Sequence, residues 1–126
     1  MPSPADRTYS NSHEWHLLQG DTLTLGITRF AVDALTDVTY ASMKPIGTKV
    51  SAAGTVGEVE SVKTTSDIYS VCPGEIIEVN KAVADNPALL NADPYKHWLV
   101  KLKITDNTPL AKLLDAQAYD KAHPVH

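Results

Sequence analysis

The stretch with the most chemical potential is Glu60-Ser61-Val62-Lys63-Thr64-Thr65-Ser66-Asp67, where one lysine stands among small, hydroxyl-bearing and acidic neighbours. An amine attacks only when deprotonated, and an ordinary lysine, with a pKa of about 10.4, is almost wholly protonated at neutral pH. No histidine or other base lies near Lys63 in sequence. With no such base beside it and no burial expected at an exposed position, Lys63 is not expected to act as a nucleophile unaided. A lone exposed lysine usually serves only solubility, so the case for chemistry rests on how this one is held.

The flanks, 54–59 and 68–71, are β-branched and partly alternating, which predicts two antiparallel strands with the polar stretch as their turn. Lys63 then sits at a hairpin tip with its amine in solvent. Such a position is stiff at its base, because ladder hydrogen bonds hold the tip from both strands.

The rest of the chain predicts many short strands and few helices. A first strand lies within 9–18, and Gln19-Gly20-Asp21 turns it into 22–27, where Leu23, Leu25 and Ile27 alternate. Thr28 is an N-cap for a helix over 29–35 whose stripe is Phe30, Ala31, Ala34 and Leu35. Strands follow at 38–43, 48–50 and 75–80, and 81–96 reads as mostly loop with a helical turn at 81–85. The last strand, 98–104, puts Trp98, Val100, Leu102 and Ile104 on one face and Leu99, Lys101 and Lys103 on the other. Thr108-Pro109 opens a C-terminal helix over about 109–122 with Leu110, Leu113, Leu114 and Ala118 as its buried stripe, although Asp115 could restart it.

At 126 residues, 43% hydrophobic and 21% charged, the chain is expected to be a single domain, 1–126, with a core over about 9–105. Eleven Lys plus Arg against fifteen Asp plus Glu give a net charge of −4, which argues against nucleic acid. No stretch is long and apolar enough for a membrane span. Cys72 is the only cysteine, so no internal disulfide can form, and it reads as a buried or idle thiol. His13 and His16, three apart on a strand, point to opposite faces and do not make a metal pair. His123 and His126 fall in a tail expected to fray, and Trp15, Phe30 and Trp98 are assigned to the core.

Taken together, these stretches resemble the H-protein family of the glycine cleavage system, lipoyl carriers of the biotinyl/lipoyl-carrier fold. The likeness runs through Tyr9-Ser10, His13-Glu14-Trp15, Gly26-Ile27-Thr28, Pro45-Ile46-Gly47, Val59-Glu60-Ser61-Val62-Lys63 and Ser66-Asp67-Ile68-Tyr69-Ser70. It continues through Gly74-Glu75, Glu78-Val79-Asn80, Asn86-Pro87 and Asn91-Ala92-Asp93-Pro94-Tyr95, with Leu113-Leu114 and Tyr119 near the end. The resemblance implies a mainly β fold, a small flattened antiparallel barrel/sandwich (a barrel-sandwich hybrid) with a short internal helix and a C-terminal helix. It implies lipoate in amide linkage to Lys63, with Glu60 and Gly74 as ligase-recognition residues and Glu14 and Asp67 as contacts for the loaded arm or a partner.

The chain itself would be no enzyme. Its implied partners are glycine decarboxylase (P protein), aminomethyltransferase (T protein), dihydrolipoyl dehydrogenase (L protein), and a lipoate-protein ligase or lipoyl/octanoyl transferase. A monomer in a bacterial cytoplasm is expected, with a processed mitochondrial-matrix form as the alternative. Departures exist: Asp37 follows Thr36 where a glycine is usual, and Ala34 replaces a histidine that some members carry. Rival readings are a relay passing lipoate to other complexes, an unmodified interaction module, and a biotin acceptor. The last is disfavoured because Val62 and Thr64, not methionines, flank Lys63.

Overall fold

The computed structural model describes residues 3–123. It shows two antiparallel sheets. The larger runs in the order β1 (Thr8–Tyr9), β2 (Glu14–Gln19), β3 (Thr22–Ile27), β9 (Val100–Lys103), β8 (Gly74–Val79) and β5 (Lys49–Val50). The smaller is β4 (Val38–Met43), β6 (Gly54–Ser61) and β7 (Thr65–Ser70). Apolar residues of both meet in one core: Leu23, Leu25, Ile76 and Leu102 from the larger sheet, Ala41, Val56, Val59 and Ile68 from the smaller. The sheets thus form an open sandwich, in line with the mainly β expectation.

Gln19 pairs with Thr22 across a two-residue loop, and Gly20 takes the positive φ, 66°, that such a tight connection needs. A second, smaller cluster lies outside the main core, where Tyr9, Trp15, Tyr95, Ala116 and Tyr119 pack together. Trp15 lies opposite Gly26, and a Cβ there would run into the indole ring; glycine at 26 lets the ring lie flat on the strand.

Helix α1 (Arg29–Leu35) starts where expected, with Thr28 Oγ1 accepting the Ala31 N–H at 3.2 Å. Its buried residues are Val32 and Leu35, whereas Ala34 is exposed and Phe30 is only half-buried against the His13 ring, 4.4 Å away. The stripe therefore turns one position from the predicted one. The stretch 81–96 is more ordered than its sequence suggests. Asn80 caps α2 (Lys81–Asp85), and α3 (Ala88–Ala92) begins after Pro87; Val83 and Leu90 anchor the pair in the core.

The expected helix over 109–122 is broken in two. A 3-10 turn, Thr108–Lys112, leads to Leu114, which exchanges backbone hydrogen bonds of 2.8 and 2.9 Å with Tyr9. Asp115 then caps α4 (Ala116–Ala122), which buries Ala116 and Tyr119 and leaves Ala118 exposed. Leu99 also departs from the expected face. It is buried, not on an outer face, because it precedes β9 and donates its N–H to Leu25 O.

Candidate functional site: the hairpin tip and its footing

Strands β6 and β7 pair from Gly54 opposite Ser70 up to Glu60 opposite Thr65, so the ladder climbs further than the polar composition of 60–67 implies. Only Val62 and Lys63 remain at the centre of the turn. It is closed by the Ser61 N–H donating to Thr64 O at 2.8 Å, while Ser61 Oγ accepts the N–H groups of Lys63 (3.1 Å) and Thr64 (3.2 Å). A serine hydroxyl that collects two backbone donors holds the turn without any residue at positive φ. Below it Val59 and Ile68 are buried. Among the described residues, the Lys63 amine makes no ion pair or hydrogen bond and stands in solvent.

The foot of the hairpin is fastened to the larger sheet by side chains of β2. Glu14 Oε2 accepts the Tyr69 N–H at 3.3 Å, and His16 Nε2 accepts the Val71 N–H, also at 3.3 Å. Both side chains are all but fully buried. β7 is an edge strand, so these two groups satisfy backbone donors that no neighbouring strand can. Glu14 Oε1 takes the hydroxyls of Ser10 (2.6 Å) and Ser12. Burial raises its pKa, against the opposing pull of those hydroxyls. Burial also drives His16 down, to about 4. The seam was not foreseen. Its one sequence signal is the alternation Glu14-Trp15-His16, two polar residues on either side of a tryptophan, all three of which the fold buries.

The other predicted site residues fall in different places. Glu60 is half-buried on β6, next to the turn. Asp67 is exposed on β7 opposite Glu58, and the two border a cavity of about 390 Å³ together with Ser42, Met43 and Thr55. Gly74 lies in the other sheet opposite Val50. A Cβ there would come 2.7 Å from Lys103 O, so packing against β9 accounts for this glycine without reference to any ligase. Cys72 is buried, which raises its thiol pKa. His123 does not fray: its ring lies 4.7 Å from His13 and 5.0 Å from Tyr119, and His126 lies outside the described residues. His13 Nδ1 is 2.6 Å from the Tyr119 hydroxyl, which in turn meets Thr28 Oγ1, tying α4 to the start of α1.

An open sandwich of antiparallel sheets defines a domain of barrel-sandwich type, here with an unpaired lysine at the apex of a braced hairpin. Comparison with known proteins narrows this. Residues 7–124 match the family described as glycine cleavage H-protein. A glycine cleavage system H protein from Paraburkholderia xenovorans is 49% identical over 123 residues, covering 97% of this chain and 98% of that one. Its counterpart from Thermus thermophilus is 48% identical over 122 residues, with 96% and 95% covered. The crystal structure of a glycine cleavage system H protein from Mycobacterium marinum superposes with a TM-score of 0.88 at 38% identity, covering 98% of this chain and all of that one. The chain belongs to the glycine cleavage H-protein family, the lipoyl-carrier component of that system.

Proposed function

We propose that Lys63 carries lipoate in amide linkage and that the chain shuttles the aminomethyl group of glycine from the P protein to the T protein. The L protein would then restore the disulfide. The observation that carries this reading is the unpaired Lys63 amine on a two-residue turn braced by Ser61. The residues present fit such a group: the amine is accessible, and Val62 and Thr64 beside it are exposed and leave room for an extended acyl chain. When attached, the dithiolane supplies the redox and group-carrying chemistry, as cofactors do.

The protein's own contribution is rigidity and shelter. The Ser61 hydroxyl and the β6–β7 ladder fix the origin of the arm, and Glu14 and His16 fix the ladder to the larger sheet. Glu14 also supports a second role. Its carboxylate is buried and has no cation partner among the described residues, so an ammonium brought close would relieve its raised pKa. Asp67, on the same strand as Tyr69 and two residues nearer the tip, offers a second carboxylate. We assign both to holding the ammonium of the loaded arm between stations. The enzyme that attaches the arm, a lipoate-protein ligase or lipoyl/octanoyl transferase, is the remaining partner, and the carrier acts as a monomer.

Glycine-dependent exchange of labelled CO₂, with purified P protein and this chain after lipoylation, tests the reading. Exchange is expected with the wild-type chain and absent with Lys63→Arg. Equal exchange with both would refute it.

A further inference from the structure

β7 is the outer strand of the smaller sheet, and its free edge is treated in two different ways along its length. The register shift in the hairpin falls in β6, between Thr55 and Gly57, so β7 itself is regular from Thr65 to Ser70. On a regular strand successive N–H groups point to alternate sides. The Tyr69 N–H points away from β6, to Glu14, and the Val71 N–H points to His16. The same alternation turns the N–H groups of Asp67 and Thr65 outward. Neither finds a partner among the described residues, and the Thr65 carbonyl takes only a 3.4 Å bond from the Thr64 hydroxyl. Thr65, Ser66 and Asp67 are all exposed.

Proteins ordinarily blunt an open strand edge, because its unpaired groups are a template for another strand. Here the half next to the larger sheet is capped by two buried side chains. The half two and four residues beyond Lys63 is left bare.

We propose that this bare half-edge is where the lipoate-attaching enzyme docks, by adding one extended strand that pairs with the outward N–H and C=O groups of Thr65 and Asp67. The inference rests on the reading that Lys63 accepts lipoate. It favours the attaching enzyme because acylation requires bonding distance to Lys63 Nζ itself, whereas enzymes that use the finished arm meet its far end. Asp67 lies about 13 Å from Lys63 along the strand at roughly 3.3 Å per residue, so a strand seated there grips the hairpin immediately below the nucleophile. Two outward pairs give main-chain hydrogen bonding in the manner of β-augmentation. The acidic side chains beside them, Glu58, Glu60 and Asp67, ask for lysine or arginine on the incoming strand.

Amide hydrogen exchange, followed by NMR on the full chain alone and saturated with the attaching enzyme without its acyl donor, tests the proposal. In the free chain the Ser66 and Ile68 amides are expected to be slow and those of Thr65 and Asp67 fast. In the complex the latter pair should slow at least about tenfold. Fast exchange of both in the complex would overturn it, as would protection already present in the free chain, which would mean that a second copy closes the edge.

Thr65→Pro provides a second reading, since it deletes an outward N–H at a position where the β6 ladder loses nothing. With a melting temperature near wild type, it should raise the KM for acylation about tenfold or more at unchanged kcat; a wild-type KM would overturn the proposal. Wild-type chain is the internal control. If it is not acylated at Lys63, the proposed function itself fails; if it is, and the proline variant behaves like it, only the docking edge fails.

Discussion

His16 Nε2 accepts the backbone N–H of Val71 across 3.3 Å, a side chain of one sheet completing the edge strand of the other. To accept there, the ring must carry its proton on Nδ1, which is buried without a partner. A second proton would set an N–H against the Val71 N–H. Burial accordingly depresses the pKa from 6.5 to about 4. The unfolded chain then takes up a proton as pH falls through about 6.5, while the folded chain resists until about 4. Stability from this group is complete above that window and lost going down through it, by about 3 kcal/mol. Glu14, whose pKa is raised, works the other way by protonating more readily when folded. Urea unfolding across the window should therefore show a steeper loss in the wild type than in His16→Gln. Parallel curves would contradict the seam.

Glu14→Gln separates the two roles of that residue. The amide oxygen can still accept the Tyr69 N–H, and the amide nitrogen can donate to the hydroxyls of Ser10 and Ser12, so unfolding free energy should stay within about 1 kcal/mol of wild type. The negative charge is gone, and the aminomethyl-loaded arm should decay several-fold faster in buffer. An unchanged decay rate would confine Glu14 to structure.

Thr36 ends α1 at φ 66°, ψ −128°, a conformation that glycine adopts without strain and threonine does not. The Asn91 side chain holds it there, donating to Thr36 O at 2.6 Å and accepting the Val38 N–H at 2.9 Å. Thr36→Gly should raise stability by about 1 kcal/mol, read as a higher denaturation midpoint; a lower midpoint would show that the strain has been misjudged.

Gly74→Ala puts a methyl 2.7 Å from Lys103 O. Neither that backbone nor its own can yield cheaply, and a loss of about 1–3 kcal/mol should follow. Acylation of Lys63 per folded molecule should stay near wild type, since Gly74 lies in the other sheet. Slower acylation of fully folded protein would instead restore Gly74 as a recognition residue.

The hairpin was legible because β-branched flanks around a polar run are a local signal, and the caps at Thr28 and Asp115 are local too. Its turn proved tighter because one hydroxyl, Ser61, binds two backbone donors, which composition does not distinguish from ordinary polarity. In the C-terminal helix Asp115 marks the restart that the sequence allows, but the break before it is made by Tyr9, more than a hundred residues upstream, pairing with Leu114. The helical turn at Lys81–Asp85 stands where the sequence puts it, but the helix at Ala88–Ala92 is hidden because Asn86-Pro87 reads as loop, although Pro87 simply starts it. The Glu14 and His16 seam lay out of reach for the same reason as the Tyr9 bridge: both join segments with no local mark of their partner.

The most direct test of Lys63 as the carrier residue is the intact mass of the chain made in a lipoylation-competent host. The wild type should carry the mass of a single lipoyl amide, lost in Lys63→Arg and mapped to Lys63 by peptide fragmentation. A bare wild-type chain, or a lipoyl increment that survives in Lys63→Arg, would contradict the account.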